Sequence, residues 1–494
     1  MERDGDALIS DSAGAQIRHD EDGEAPKATG TKAGHHSRKE DKSPLLPKHY
    51  ALEPLEVEYG GQPVGTKGTD LPDSGTASIS SGVFNLSTTI VGAGIMALPA
   101  TMKVLGLPLG LFIILAIGAL TAYSIHLLLK YSLQRKCWTY SDLLEDAYPR
   151  VGRLALQIAV IINNTGILVV YLIIVADVLS GSGKGSEHHT GLLEEWAGGA
   201  RWWNGRTVVV LVTLLTALGP LCCLKHIDSL HYTSAAAFGL AVVFVVILII
   251  VTLIRLAEGR IGLPQLLPAF ATWHDWLQLC SVVPVMANAF VCHFNVHPIY
   301  VELRDRSEAR MARVVRASIG MCTAVYLLTA SFGFLLFGSA IQGDVLSNFD
   351  TDLNIPFSAA VNDVVRLSYA LHLLGVFPLI HYSFREVVDA LLFSGAPPLA
   401  HSPVRFYGIT VALLTLTFIG SAFVPNIWVA FEFTGATAAV SLGFTFPALI
   451  AWRWGAKMAG YRERYLVLTM ISIGVLVTIT GTLSNIIKLS TGQL

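Results

Sequence analysis

Phe84-Asn-Leu-Ser-Thr-Thr-Ile-Val-Gly-Ala-Gly-Ile-Met-Ala-Leu-Pro99 is an apolar stretch of membrane-helix character that contains Gly92, Gly94 and Pro99. A bilayer offers no water to satisfy freed backbone N–H and C=O groups. A helix interrupted by glycine and proline is therefore tolerated only where those groups line a cavity or hold a ligand. The stretch predicts a broken membrane helix at a transport site.

The composition of the whole chain also indicates a membrane protein. Its 494 residues are 53% hydrophobic and 14% charged, whereas soluble domains are about 45–50% apolar and about 25% charged. The formal net charge of −2 favours neither nucleic acid nor anionic lipid as a partner. The sequence has no Walker loop, zinc cluster or nucleophile elbow. We expect no enzymatic activity, no cofactor, no metal site and no nucleic-acid partner.

Residues 1–77 differ from the rest, because they are polar and have almost no apolar periodicity. This composition predicts a disordered cytosolic tail. Two segments, Asp4–Ile9 and Asp41–Leu46, match the acidic dileucine pattern that a sorting adaptor binds. The pattern is short, so the alternative that it has no role stays open.

The remainder of the chain, residues 78–490, predicts a polytopic domain with eleven transmembrane helices, since about 20 apolar residues span the hydrocarbon core. If the N-terminus is cytosolic, the inner loops contain seventeen Lys and Arg residues and the outer segments contain seven. That excess fits the positive-inside rule. The helices centre near residues 92, 119, 167, 215, 243, 288, 325, 370, 413, 438 and 476.

A second interrupted span is the sixth, which runs from Val282 to Pro298 with Pro284 and Pro298 near its ends. Interrupted segments five spans apart are expected from two five-helix repeats of inverted topology. The sequence predicts repeat one over about 78–256, repeat two over about 276–452 and an additional helix over about 464–488. The alternative is that the glycines only allow close helix packing.

Three segments together resemble the amino acid/auxin permease family: Phe84-Asn-Leu-Ser, Gly92-Ala-Gly-Ile-Met-Ala-Leu-Pro99 and Phe290-Val-Cys-His-Phe-Asn-Val-His-Pro-Ile-Tyr-Val-Glu-Leu303. Within that family the chain looks most like the plant vacuolar amino acid transporters, which are related to animal sodium-coupled neutral amino acid transporters. The resemblance covers about residues 78–490. It implies an all-α LeuT-like fold and transport of neutral amino acids with an ion.

A zwitterionic amino acid needs N–H donors for its carboxylate and carbonyl acceptors for its ammonium. An opened first span offers donors at a half-helix N-terminus, and glycine lets the ligand approach the backbone. Unwound carbonyls of the sixth span can accept from the ammonium. The predicted substrate-binding residues are Val91, Gly92, Ala93, Gly94, Ile95, Ala289, Phe290, Cys292, His293 and Asn295, with Asn164 of the third span as a pocket wall.

The sequence offers two candidate coupling ions, sodium and the proton. The family resemblance implies a sodium site with a side-chain oxygen at Thr88 and a hydroxyl on the eighth span. The aligned positions there are Leu374 and Val376, which cannot coordinate, and Ser368 would substitute only in a shifted alignment.

A proton needs only a titratable group, and charges inside a membrane are costly enough to suggest function. The candidates are His372, Glu432 and Asp363, with His293 a further buried histidine. His372 is favoured because imidazole titrates near pH 6.5. A structural role for the histidine stays open, as does an ion pair between Asp363 and Arg366 at i,i+3.

The sequence thus predicts a proton-coupled symporter of neutral L-amino acids in the vacuolar membrane. The alternatives are a sodium-coupled transporter of the plasma membrane, and an amino-acid-sensing receptor of the same fold.

Overall fold

The computed structural model describes residues 75–149, 151–182, 189–224, 231–268, 270, 272–397, 399–424, 427–455 and 460–491. These residues form seventeen α-helices, several short 3₁₀ and π segments, and one two-residue antiparallel hairpin. The strands are β1 (Gly181–Ser182) and β2 (His189–Thr190). The helices are α1 (Ile79–Ile90), α2 (Gly94–Leu105), α3 (Leu107–Arg135), α4 (Tyr140–Ala147), α5 (Val151–Ser180), α6 (Leu192–Ala197), α7 (Arg206–Thr213), α8 (Gly219–Cys222), α9 (His231–Ala257), α10 (Trp273–Ala289), α11 (His293–Glu302), α12 (Glu308–Phe337), α13 (Ser358–Leu392), α14 (Pro403–Phe423), α15 (Ile427–Thr434), α16 (Phe446–Gly455) and α17 (Tyr461–Thr491).

Within the described ranges, nine helical segments are long and apolar enough to cross a membrane, and a bent pair of helices makes a tenth. The segment Arg206–Cys222 is a shorter apolar helix. It contains a π-helical turn at Leu214–Leu218 between α7 and α8. All eleven predicted helix centres fall within these segments or at the break of the bent pair.

The first span is broken where the sequence predicts it. Helix α1 ends at Ile90, α2 begins at Gly94, and the two axes differ by 54°. The sixth span is also interrupted, because α10 ends at Ala289 and α11 begins at His293. Pro284 and Pro298 lie inside these two helices, so the interruption falls between the prolines.

Close helix contacts hold the broken spans inside the bundle. Helix α2 packs on α10 and α12, while α13 packs on both α5 and α9. Large aromatic side chains remain exposed on the outer surface near helix starts or in loops, including Trp202, Trp273 and Trp276. Such residues are typical of the interface between lipid and water.

Two basic residues that the sequence assigns to loops are buried inside the bundle. Arg385, counted with the inner loops, is fully buried on α13, donates to the carbonyl oxygen of Cys222 over 2.8 Å and stacks on the Phe406 ring. Lys488, counted with the outer segments, is 6% exposed. Both were misassigned because hydropathy cannot show a polar partner on another helix.

The predicted tail lies mostly outside the described residues, and so do both dileucine segments, Asp4–Ile9 and Asp41–Leu46. Residues 75–77 are described and contact the end of α11. Ala77 donates to the carbonyl oxygen of Glu302 over 2.9 Å and accepts from the amide of Arg304 over 2.9 Å. The folded domain therefore starts slightly before residue 78.

Candidate functional site

Four helix ends meet in the middle of the bundle, at the breaks of the first and sixth spans. A Cβ added at Gly94 would lie 2.7 Å from Cα of Ala289, so the two breaks are in direct contact. The ends are the C-termini of α1 and α10 and the N-termini of α2 and α11. The predicted residues that lie at these ends are Val91, Gly92, Ala93, Gly94, Ile95, Ala289, Phe290, Cys292 and His293.

Three buried tyrosines that the sequence analysis missed hold the open backbone. The Tyr326 hydroxyl lies 2.6 Å from the carbonyl oxygen of Ile90 and 2.7 Å from that of Ala289, so it bridges both breaks. Tyr369 donates to the carbonyl oxygen of Gly92 over 2.6 Å. Tyr171 also reaches the break, because a Cβ at Gly92 would come within 2.3 Å of its hydroxyl.

These helix ends carry opposite partial charges. The first amides of α2, from Gly94 and Ile95, have no carbonyl partner within their own helix and concentrate positive charge. The carbonyl groups of Ile90 and Ala289 at the ends of α1 and α10 concentrate negative charge. A zwitterion whose carboxylate and ammonium face these two poles would be bound without any charged side chain.

His372 lies beside this site, at the junction of the first, fifth and eighth spans. The side chain is fully buried, and Nδ1 lies 2.7 Å from the carbonyl oxygen of Ala237 on α9. The ring also interacts with the backbone of Val91 at the break. On α1, one helix turn before Val91, Thr88 donates to the carbonyl oxygen of Ser234 on α9 over 3.3 Å. His372 therefore connects the break to two other helices.

His293 and Asn295 on α11 contact neighbouring helices. His293 Nε2 lies 2.6 Å from Ser124 Oγ on α3. Asn295 donates to Thr89 on α1 over 3.0 Å and accepts from Ser383 on α13 over 3.1 Å. These contacts fix the position of α11 relative to three helices.

Two further predicted substrate-binding residues, Phe290 at the break of the sixth span and Asn164 on α5, contact neighbouring side chains. The Phe290 ring packs edge to face on Tyr326, with 4.9 Å between centroids, and it faces α3 at Gly118. Asn164 is fully buried beside Asn163, from which it accepts a hydrogen bond over 3.1 Å. It lies seven residues before Tyr171, about 10 Å along α5. Tyr171 of the same span reaches the break at Gly92.

The other ion-coupling candidates have side-chain partners of their own. Glu432 on α15 pairs with Lys488 of α17 at 2.6 Å. Asp363 accepts from the indole of Trp196 over 3.2 Å, and Arg366 pairs with Glu195 rather than with Asp363.

The predicted sodium ligand Ser368 donates to the carbonyl oxygen of Val365 in its own helix over 3.0 Å. That bond leaves its oxygen able to accept.

Comparisons with known proteins agree with this architecture. The family model described as transmembrane amino acid transporter protein matches residues 75–487. The Arabidopsis thaliana amino acid transporter AVT6E is 50% identical over 84% of this chain and 84% of its own length. The amino acid transporter AVT6A from the same plant is 46% identical over 88% of this chain and 90% of its own.

Solved structures show the same fold at low sequence identity. The structure of MhsT in complex with L-phenylalanine is 15% identical, with a TM-score of 0.55 over 84% of this chain and all of that chain. An Eremococcus coleocola manganese transporter is 13% identical, with a TM-score of 0.52 over 84% of this chain and 86% of that chain. The predicted LeuT-like, all-helical class is therefore confirmed.

Proposed function

The chain belongs to the amino acid/auxin permease family, whose members are transporters rather than enzymes. From this premise we propose that it carries neutral L-amino acids together with a proton across the vacuolar membrane. The observation that carries the proposal is the contact of two broken spans at Gly94 and Ala289, with buried His372 beside them.

The site favours a neutral zwitterion because its polarity comes from backbone dipoles. The α2 amides at Gly94 and Ile95 would bind the carboxylate, and carbonyl oxygens at the ends of α1 and α10 would accept from the ammonium. Tyr326 and Tyr369 already hydrogen-bond three of these carbonyls. A substrate would share or displace those hydroxyls. Residues 90–95 and 289–293, which the structure describes at the breaks, include no Asp, Glu, Lys or Arg that would favour an acidic or basic substrate.

A proton is favoured over sodium by the groups at the junction beside the break. His372 bonds a carbonyl of the fifth span and interacts with the break, so a change in its protonation would alter contacts between moving helices. The eighth-span positions Leu374 and Val376 offer no oxygen in their side chains. We therefore assign coupling to His372, with no cofactor or resident metal.

The proposed topology has eleven spans with the N-terminus in the cytosol. The excess of Lys and Arg in the inner loops supports that orientation. In an acidic vacuole, symport would then move amino acids from the lumen to the cytosol. One pH unit supplies about 1.4 kcal/mol and 100 mV supply about 2.3 kcal/mol per charge. Together they would support a gradient of several hundredfold.

Uptake by proteoliposomes tests the proposal. Purified protein would be supplied with pooled labelled neutral amino acids under a pH gradient, a sodium gradient or neither. We expect accumulation under the pH gradient alone. For His372→Gln we expect that accumulation to disappear, while exchange of labelled for unlabelled amino acid continues. His401→Gln, which changes an exposed histidine, is the matched control.

Each other result has a definite meaning. Accumulation driven by sodium alone would exclude proton coupling and point to Thr88 and Ser368. Binding without flux would favour a receptor. Normal pH-driven accumulation in His372→Gln would exclude His372 as the coupling group while leaving amino acid transport intact.

A further inference from the structure

A cluster of charged groups surrounds a small cavity at the end of the bundle that bears the β1–β2 hairpin. It is assembled from α5, β2, α13 and the segment 341–357, which precedes α13. The side chains that line it include Asp177, His189, Asp344, Asp350 and Arg366. None of these groups takes part in the site at the two breaks.

The charges in this cluster do not balance among the residues whose placement is described. Three bases each have an acidic partner: Arg206 pairs with Asp177, Arg366 with Glu195 at 2.8 Å, and His189 Nδ1 with Asp350 at 2.5 Å. The remaining acid is Asp344, for which the same ranges give no basic partner.

Asp344 is buried, with an exposed fraction of 7%. One carboxyl oxygen, Oδ1, accepts from the amide of Leu346 over 2.9 Å. The other, Oδ2, has no hydrogen-bond partner in the described part of the chain. A buried carboxylate without a counter-charge is costly, and protonation removes that cost.

The segment that carries Asp344 packs against α2, the second helix of the first span. Its 3₁₀ turn, Val345–Asp350, packs against α2 as well as α5, β2 and α13. Phe349 is fully buried against Phe244 of α9, with 6.3 Å between ring centroids. A Cβ at Gly343 would lie 3.4 Å from Cβ of Trp428 on α15. Opening a path between α2 and α15 would therefore require this segment to undock.

We propose that Asp344 is a proton-binding site on this face, and that the segment 341–357 docks over α2 stably only when the proton is bound. The site lies on the lumenal side if the orientation in the proposed function is correct, and only that assignment of compartment rests on the proposed function. Acidity in that compartment would then favour closure of the path on the same side.

The direction of the pH effect follows from the surroundings of Asp344. Burial raises the pKa of Asp344 to about 7, and the nearby charge of Asp177 acts in the same direction. His189, Asp350, Arg366, Arg206 and Glu195 are the other charged or titratable groups placed around the cavity or paired within it.

A group whose pKa is raised in the docked state favours that state when it is protonated. This stabilisation of the docked state is complete below about pH 4 and is lost as the pH rises through about 7. With an ordinary pKa of about 3.9 in the undocked state, the docking equilibrium should weaken about 20-fold from pH 5.5 to pH 7.5.

Hydrogen exchange of the full-length protein in lipid nanodiscs tests this directly. Peptides covering 341–357 would be followed at pH 5.5 and 7.5, and each rate would be divided by the intrinsic chemical rate at that pH. We expect about 20-fold greater protection at pH 5.5 in the natural protein. Asp344→Asn should be equally protected at both values, because the amide imitates the protonated acid. Asp352→Asn, at an exposed aspartate of the same segment, should behave like the natural protein.

Equal protection of the natural protein at both pH values would overturn the proposal, and so would a pH effect that persists in Asp344→Asn. If that variant does not fold, the natural protein still tests the proposal. Its loss of hydrogen-exchange protection must have a midpoint near pH 7 and be confined to this segment. The measurement needs neither substrate nor gradient. A failure of transport and a failure of this site are therefore distinguishable.

Discussion

Replacing Gly94 by alanine should separate the two broken spans that form the site. The added Cβ would lie 2.7 Å from Cα and 2.8 Å from Cβ of Ala289. Ordinary contact begins near 3.4 Å, so α2 and α10 must move apart by at least about 0.7 Å. The contacted atom is backbone, so no rotation of a side chain relieves the clash.

Overpacking of this kind costs about 1–3 kcal/mol. If the cost falls on the state in which both breaks face the substrate, the apparent affinity should fall roughly 5- to 140-fold. The assay is initial uptake into proteoliposomes over a range of substrate concentrations. We expect a raised KM for Gly94→Ala, and thermal unfolding of the purified variant reports whether it remains folded.

Gly320→Ala is the matched control, because a Cβ at this membrane-span glycine meets no atom within 4 Å. It should leave KM and maximal rate unchanged. If Gly94→Ala also transports with an unchanged KM, the contact between the two breaks does not form the binding site, and the reasoning is refuted.

Two further predictions concern the surroundings of the site. Gly92→Ala should impair uptake, because its Cβ would lie 2.3 Å from the Tyr171 hydroxyl; adding Tyr171→Phe should restore part of the uptake, since the next ring atom is 3.3 Å away. An unimproved double variant would show that the hydroxyl is not the obstacle. Glu432→Gln or Lys488→Met should each lower stability by about 3–5 kcal/mol by leaving one buried charge unpaired, whereas the double variant should unfold near the natural temperature. Thermal unfolding measures all three, and additive losses in the double variant would contradict the pairing.

The breaks of the first and sixth spans were predictable because their cause is local. Gly92 and Gly94 weaken the first helix, and polar residues between Pro284 and Pro298 mark the second. The three tyrosines were harder to identify, since their partners lie on distant helices. A signal was nevertheless present: Tyr326 and Tyr369 are next to the predicted span centres near 325 and 370. A tyrosine at mid-membrane depth lies outside the interfacial belt and needs a hydrogen-bond partner.

The charged candidates show a different limit of sequence reasoning. An intramembrane charge indicates function only until its partner is known, and the partner can be far away in the chain. Glu432 is 56 residues from Lys488, yet the two groups are 2.6 Å apart, and Lys488 also donates to Ser281 of α10 over 2.8 Å. This pair attaches α17 to α10 and α15, which accounts for both charges structurally.

His372 is in the opposite situation. Its Nδ1 bonds the carbonyl oxygen of Ala237, and its Nε2 has no hydrogen-bond partner within the described ranges. The ring is at the break, where helices that move in alternating access would meet. Glu432 would have to break a strong ion pair to exchange a proton, whereas His372 only has to change its hydrogen bond to the carbonyl oxygen of Ala237. For this reason the histidine variant is the sharper test of coupling, although the sequence alone presents both residues as buried titratable groups.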